Sequence, residues 1–219
     1  MIFEKTQALT LFPTFVWAHD LPAAVAQGLN RQLEQAIVPL IEPRPKLLPG
    51  QTWQTHQDLH QRPEFADLVR LIRGAAAGVL DYLQVEHEGF EITGCWANVN
   101  PDGSPHSTHT HPNNYLSGVY YVKTGPGADS VRFVDPRPQI HQISPRVKKQ
   151  GPMNAPQAFV NAPAGRLVIF PAWLGHSVPQ NTSGHERISV AFNIMFSDFT
   201  RRMAMPKWEG IKADAGTES

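Results

Sequence analysis

Three histidines and one arginine stand out by type and spacing. His109 and His111 are two apart in His106-Ser-Thr-His109-Thr-His111-Pro112. Residues two apart on an extended chain point the same way, so both imidazoles can face inward where a strand frays into a turn. His176 follows the apolar run Leu167-Val-Ile-Phe170 and a Pro-containing turn, and can close the set from a distant strand. Three protein ligands on one face of a metal leave open positions for substrate and O2, the layout of non-heme iron oxygenase sites. Asp102 or another carboxylate is an alternative for the third position. His56, His60, His87, His141 and His185 read as surface or hydrogen-bonded side chains, and His106 is left open because it shares the turn.

Arg187 comes eleven residues after His176 and starts a clean alternation. Arg187, Ser189, Ala191 and Asn193 share one face, small and polar, suited to a cavity wall. Ile188, Val190, Phe192 and Ile194 share the other, bulky and apolar, suited to packing under helices. An arginine heading a cavity face needs an anion, and its planar fork matches a carboxylate through two hydrogen bonds. The competing reading pairs it at the surface with Glu186 or Asp198. By the same alternation Tyr121 faces the cavity, and Trp96, Asn98 and Asn100 align on one face of 90–100. Asn98 and Asn100 suggest a polar pocket, with Asn100 also a candidate for organising the Asn100-Pro-Asp-Gly103 turn.

The elements that must carry these residues are mainly strands. Residues 8–18 read as an apolar edge strand containing a proline. Pro22 opens a helix over 22–41, with Val25, Leu29, Leu33 and Ile37 on one face. Residues 43–62 read as a loop, and a second helix spans 63–83 with the stripe Phe65, Leu68, Val69, Ile72, Ala76, Val79 and Leu83. From 90 to 199 the period switches to two. The expected strands are Phe90–Asn100, Leu116–Lys123, Ser130–Val134, Gln157–Asn161, Arg166–Phe170 and Arg187–Phe196. Two helices followed by a block of strands imply a mainly β fold, a sandwich or barrel with helices on its outside. Residues 135–156 form a long loop, a candidate lid. The expected domain runs from 1 to 209, and 210–219 is an expected disordered tail.

The chain has 219 residues, enough for one domain with a sizeable core. Its 19 basic and 19 acidic residues cancel, which argues against a broad nucleic-acid or anionic-membrane footprint. One cysteine, Cys95, excludes an internal disulfide and favours a reducing, cytoplasmic setting. Neither a signal peptide nor a membrane-spanning helix is expected. A homodimer is allowed.

From Cys95 to Asn193 the sequence resembles the 2-oxoglutarate- and Fe(II)-dependent oxygenases, and more closely a bacterial and phage family of 2OG-Fe(II) oxygenases of about this length. The resemblance rests on Trp96-Ala-Asn-Val-Asn100, His109-Thr-His111-Pro112, Leu116-Ser-Gly-Val-Tyr-Tyr121, Phe133-Val-Asp-Pro-Arg137, Phe170-Pro-Ala-Trp-Leu-Gly-His176 and Arg187-Ile-Ser-Val-Ala-Phe-Asn193. It implies a double-stranded β-helix, the cupin-like jelly-roll. It implies Fe(II), with His109 and His176 matching the family's two histidine ligands and no catalytic side chain beyond the ligands; the third ligand position here is His111. It implies 2-oxoglutarate as cosubstrate, its far carboxylate on Arg187 assisted by Tyr121; the strand alternation adds Asn98, Asn100 and Ser189 to that pocket. The implied reaction decarboxylates 2-oxoglutarate oxidatively and hydroxylates a small molecule or peptide. The wider superfamily has His-x-Asp or His-x-Glu where this chain has His109-x-His111. A three-histidine dioxygenase that does not use 2-oxoglutarate, and a non-catalytic jelly-roll binding a metal or small ligand, are the alternatives.

Overall fold

The computed structural model describes residues 2–48, 50–143 and 145–202; the expected tail at 210–219 lies outside them. Two antiparallel sheets face each other as a jelly-roll. The strands are β1 (Trp17–Asp20), β2 (Trp53–Gln54), β3 (Phe90–Asn100), β4 (His106–His109), β5 (Leu116–Lys123), β6 (Ser130–Val134), β7 (Gln157–Asn161), β8 (Arg166–Pro171), β9 (His176–Val178) and β10 (Arg187–Phe196). The larger sheet has the order β1-β8-β5-β10-β3-β2 and the smaller the order β4-β9-β6-β7.

Helices α1 (Ala23–Leu40) and α2 (Ala66–Tyr82) cover the outer face of the larger sheet. Pro22 precedes α1, and its carbonyl accepts the Ala26 N–H at 2.9 Å. The buried stripe of α1 is Ala26, Leu29, Leu33 and Ile37, whereas Val25 is exposed. The expected spacing of four drifts off the 3.6-residue turn, so the first member of the stripe is one residue later. Before α2 the chain makes a 3₁₀ turn, Pro63–Phe65. Leu80 is buried with the expected stripe, while Val69 and Leu83 pack only partly. Leu33, Ile37, Leu68 and Ile72 meet Ala97, Val99, Val190 and Phe192 in one cluster. Each buried Leu or Ile contributes about 1.5–3 kcal/mol.

The strand alternation divides the larger sheet cleanly. Ile188, Val190, Phe192 and Ile194 face the helices, as do Tyr120 and Val122, and Tyr120 Oη pairs with Asn30 Oδ1 at 2.7 Å. Between the sheets Tyr121, Val131, Phe133, Val168, Phe170 and Leu174 form a second core. Gly118 is required where β5 crosses β10: an added Cβ would lie 2.3 Å from Phe192 Cζ and 2.7 Å from the Val168 carbonyl oxygen.

Two expectations for the first quarter of the chain fail. The apolar run 8–18 forms a strand only from Trp17: Phe12 takes a positive φ of 53°, and Leu9, Leu11 and Phe12 are left exposed. As expected of it, β1 is an edge strand. The 43–62 loop contains β2 and the 3₁₀ turn Leu59–Gln61, tied to β3 by Cys95 N–H donating to Gln57 O at 2.9 Å. Residues 135–156 hold one 3₁₀ turn, Pro138–His141, and no strand among those described. Among the described residues no helix is long and apolar enough to cross a membrane.

Candidate metal centre and its cavity

The histidine turn is itself a short strand with a bulge. Opposite β9, His106 pairs with Val178 and His109 with His176, so Ser107 and Thr108 together oppose Ser177. An extra residue on one strand turns its neighbours. His106 and His109, three apart, consequently line the same cavity, with ring centroids 4.4 Å apart.

Backbone carbonyls orient two of the rings. His109 Nδ1 donates to Ser107 O at 2.9 Å, and His176 Nδ1 donates to Leu174 O at 2.9 Å. A carbonyl can only accept, so each ring carries its proton on Nδ1 and leaves the Nε2 lone pair free, the arrangement that orients metal-bound histidines. The third ring, His111, is fixed by its backbone N–H on Ala172 O at 2.9 Å, and its Nε2 lies 3.3 Å from His176 Nε2. One nitrogen from each of His109, His111 and His176 falls within 4.8 Å of the others. Two imidazole nitrogens bound at right angles to one ion sit about 3 Å apart, so the trio fits a metal. Asp102 is not among them: its Oδ1 accepts the Gly184 N–H at 2.9 Å. Among the described residues no carboxylate joins the cluster. His87 instead rests on Phe90 and Phe196, and His185 and His60 join no cluster.

Burial, reinforced by positive charge on neighbouring histidines, holds His176 down to about 3 and His111 down to about 4. Burial also lowers His106, with His109 and Arg187 adding to it. His111 and His176 are therefore neutral at pH 7, the form that binds metal.

Arg187 opens β10 directly opposite Asn100 of β3, and Ser189 lies between Asn98 and Tyr121. Arg187 is 4% exposed. Its Nη2 donates to Asn100 Oδ1 at 3.4 Å, and its Nε has no partner. Among the described residues no carboxylate pairs with it, and Glu186, the expected surface partner, pairs with Arg44. Burial pushes the guanidinium pKa down and the Tyr121 hydroxyl up to about 12, so Tyr121 stays protonated as a donor. Asn100 is steadied by Ser104, to whose Oγ its Nδ2 donates at 3.3 Å, and by Asn181, whose Nδ2 donates to Asn100 O at 3.2 Å. Asn98 Oδ1 accepts from Gln54 Nε2 at 2.7 Å. A buried cation with spare donors is costly unless an anion meets it. Arg187, Tyr121, Asn98, Asn100 and Ser189 line one cavity with the three histidines, as does Trp96, 6.0 Å from His111 between ring centroids.

Sequence reasoning left His106 open and missed Ser117, whose Oγ donates to Asn193 Oδ1 at 2.8 Å. Ser117 shares its strand face with Tyr121, a signal that was present.

Residues 94–193 match the family model described as "Putative 2OG-Fe(II) oxygenase". No curated protein matches the chain. Solved structures share the fold at low identity. A Pseudomonas putida prolyl-4-hydroxylase is 17% identical over 84% of this chain and 93% of its own, with a TM-score of 0.58. HygX from Streptomyces hygroscopicus, solved with nickel and 2-oxoglutarate, is 14% identical over 84% and 83%, at 0.58. The alpha ketoglutarate dependent carbocyclase SnoK from nogalamycin biosynthesis is 15% identical over 90% of each chain, at 0.61.

Proposed function

We propose, from the match of residues 94–193 to the 2OG-Fe(II) oxygenase family model, that this protein is a 2-oxoglutarate- and Fe(II)-dependent dioxygenase with its site on His109, His111, His176 and Arg187. The family's metal is Fe(II) and its cosubstrate 2-oxoglutarate. The observation that carries the assignment of residues is the buried guanidinium of Arg187, unpaired by any carboxylate among the described residues, on the same cavity as three converging histidines. When bound, Fe(II) supplies the O2-dependent decarboxylation of 2-oxoglutarate to succinate and CO2, coupled to oxidation of a C–H bond.

The chain's own residues do the rest. His109, His111 and His176 hold the metal through their Nε2 atoms. Arg187 holds the far carboxylate of 2-oxoglutarate through its fork. Asn100 orients that fork from one side, and the protonated Tyr121 hydroxyl supplies a further donor. Asn98 and Ser189 give the wall a polar lining. Val131 and Val178 add apolar lining to the cavity, and a drier cavity strengthens each of these contacts. The substrate is a small molecule or peptide, and Cys95, a buried thiol pushed up to about 12, is inert in the reducing cytoplasm where we place the protein. We take residues 1–209 as one working domain.

His111 favours a second reading, since a neutral imidazole replaces the carboxylate expected in the superfamily. In that reading the substrate binds the metal directly and Arg187 holds the substrate's carboxylate. Anaerobic addition of Fe(II) and then 2-oxoglutarate, followed by O2, separates the two. A visible charge-transfer band and succinate support the first. Metal binding with neither band nor succinate supports the second.

A further inference from the structure

The outer face of the smaller sheet carries a row of side chains with no role in the inner cavity. Phe159 of β7, Arg132 of β6 and Ser177 of β9 lie directly opposite one another across three strands. Beside them the β4 bulge presents Ser107 and Thr108. Arg132 leans away from Phe159: its Nε donates to Ser177 Oγ at 2.7 Å and its Nη2 to Thr108 Oγ1 at 3.3 Å. A guanidinium has five N–H groups, so donors remain. Among the described residues no carboxylate pairs with Arg132. Phe159 is left 59% exposed.

Arg132, Phe159 and Ser107 border a cleft of about 350 Å³, closed by Pro105, His106, Val178, Pro179 and Gln180. That size falls in the range of small-ligand sites. His106 and Val178 line the cleft and the inner cavity alike. The bulge makes this double exposure of His106 possible.

We propose that this cleft is a second ligand site, for a small organic carboxylate on a flat apolar body. Arg132 takes the carboxylate, Phe159 and Pro179 take the body, and His106 touches the ligand on one side and His109 on the other. The site differs from the one proposed for 2-oxoglutarate in its anion-binding residue, Arg132 in place of Arg187, although His106 and Val178 border both.

Benzoate is the test probe, with benzamide as its uncharged counterpart. Isotope-labelled protein is loaded with Zn(II), so that no paramagnetism broadens the signals, and is saturated with 2-oxoglutarate. Benzoate is expected to shift the Arg132 Nε–H and His106 ring resonances saturably. Benzamide is expected to bind at least about tenfold more weakly, as is benzoate to Arg132→Met, since each removes a charge-assisted hydrogen bond. Phe159→Ala, at an exposed position that does not threaten folding, is expected to weaken benzoate several-fold. Equal binding of benzoate and benzamide, unchanged affinity in Arg132→Met, or displacement of benzoate by 2-oxoglutarate would each overturn the proposal. Shifts confined to Tyr121 and Ser189 would do the same, since they would put the probe in the inner cavity.

Discussion

Arg187 and Asn100 face each other in register across β10 and β3, and among the described residues the only hydrogen bond of the buried guanidinium is the 3.4 Å contact to Asn100 Oδ1. One long bond does not offset the desolvation of a cation, which supports the proposed role of Arg187 as a ligand-holding residue. Arg187→Lys keeps the charge and loses the fork. Calorimetric titration of the anaerobic Fe(II) protein with 2-oxoglutarate is expected to give a dissociation constant raised about tenfold or more. Arg187→Met is expected to leave the ligand-free melting temperature unchanged or higher, and to abolish the thermal stabilisation that 2-oxoglutarate gives the unaltered protein.

The metal-free fold is expected to lose stability in acid because of its histidines. His111 and His176 have folded pKa values of about 4 and about 3, below the ordinary 6.5. Below pH 6.5 the unfolded chain therefore binds more protons than the folded one, and stability falls as pH drops from there through 4 towards 3. Above 6.5 both states are neutral and these two groups contribute no slope. Urea midpoints of the metal-free protein should be flat between pH 7 and 8 and decline steadily below 6. His111→Asn should flatten the decline.

Metal stoichiometry distinguishes the three histidines from the nearby carboxylate. His111→Ala and His176→Ala should each lower bound metal after dialysis well below one equivalent. Asp102→Ala should retain it, because Asp102 only caps the Gly184 amide. Its cost should be a stability loss of about 1 kcal/mol, the worth of an ordinary hydrogen bond. Elemental analysis together with a denaturation curve checks both halves.

Gly118→Ala forces a Cβ to within 2.3 Å of the Phe192 ring. Overpacking of this kind costs about 1–3 kcal/mol. Gly125→Ala, with nothing within 4 Å, is the control and should change stability by less than about 0.5 kcal/mol. Chemical denaturation of the two variants measures the difference.

The alternation of β10 was legible because one face is uniformly bulky and apolar and the other, after Arg187, is small or polar. The same pattern identified the inner faces of β3 and β5, and with them Arg187, Tyr121, Asn98 and Asn100. The short strands β4 and β9 were not legible: with four and three residues they have too little period to register. The bulge at Ser107 and Thr108 was invisible for a deeper reason. It is a mismatch between two strands some 70 residues apart in sequence, so neither strand records it alone. That is why His106 could not be assigned to the cavity. The run at 8–18 misled in the opposite direction, apolar enough for a strand but, among the described residues, without a strand to pair with before Trp17. In α1 the stripe was found and its first member misassigned by one position, an error of periodicity and not of composition.

The acceptors that set the tautomers of His109 and His176 are main-chain oxygens, at Ser107 and Leu174. Every amino acid supplies the same carbonyl. Residues 107 and 174 can therefore be exchanged for many others without altering which nitrogen each ring presents. The aim of the metal site is inherited from the path of the chain, so it is exposed to insertions and deletions in these two segments far more than to point substitutions. Lengthening β4 by one residue between His106 and His109 would disturb the centre more than changing the side chain at either carbonyl.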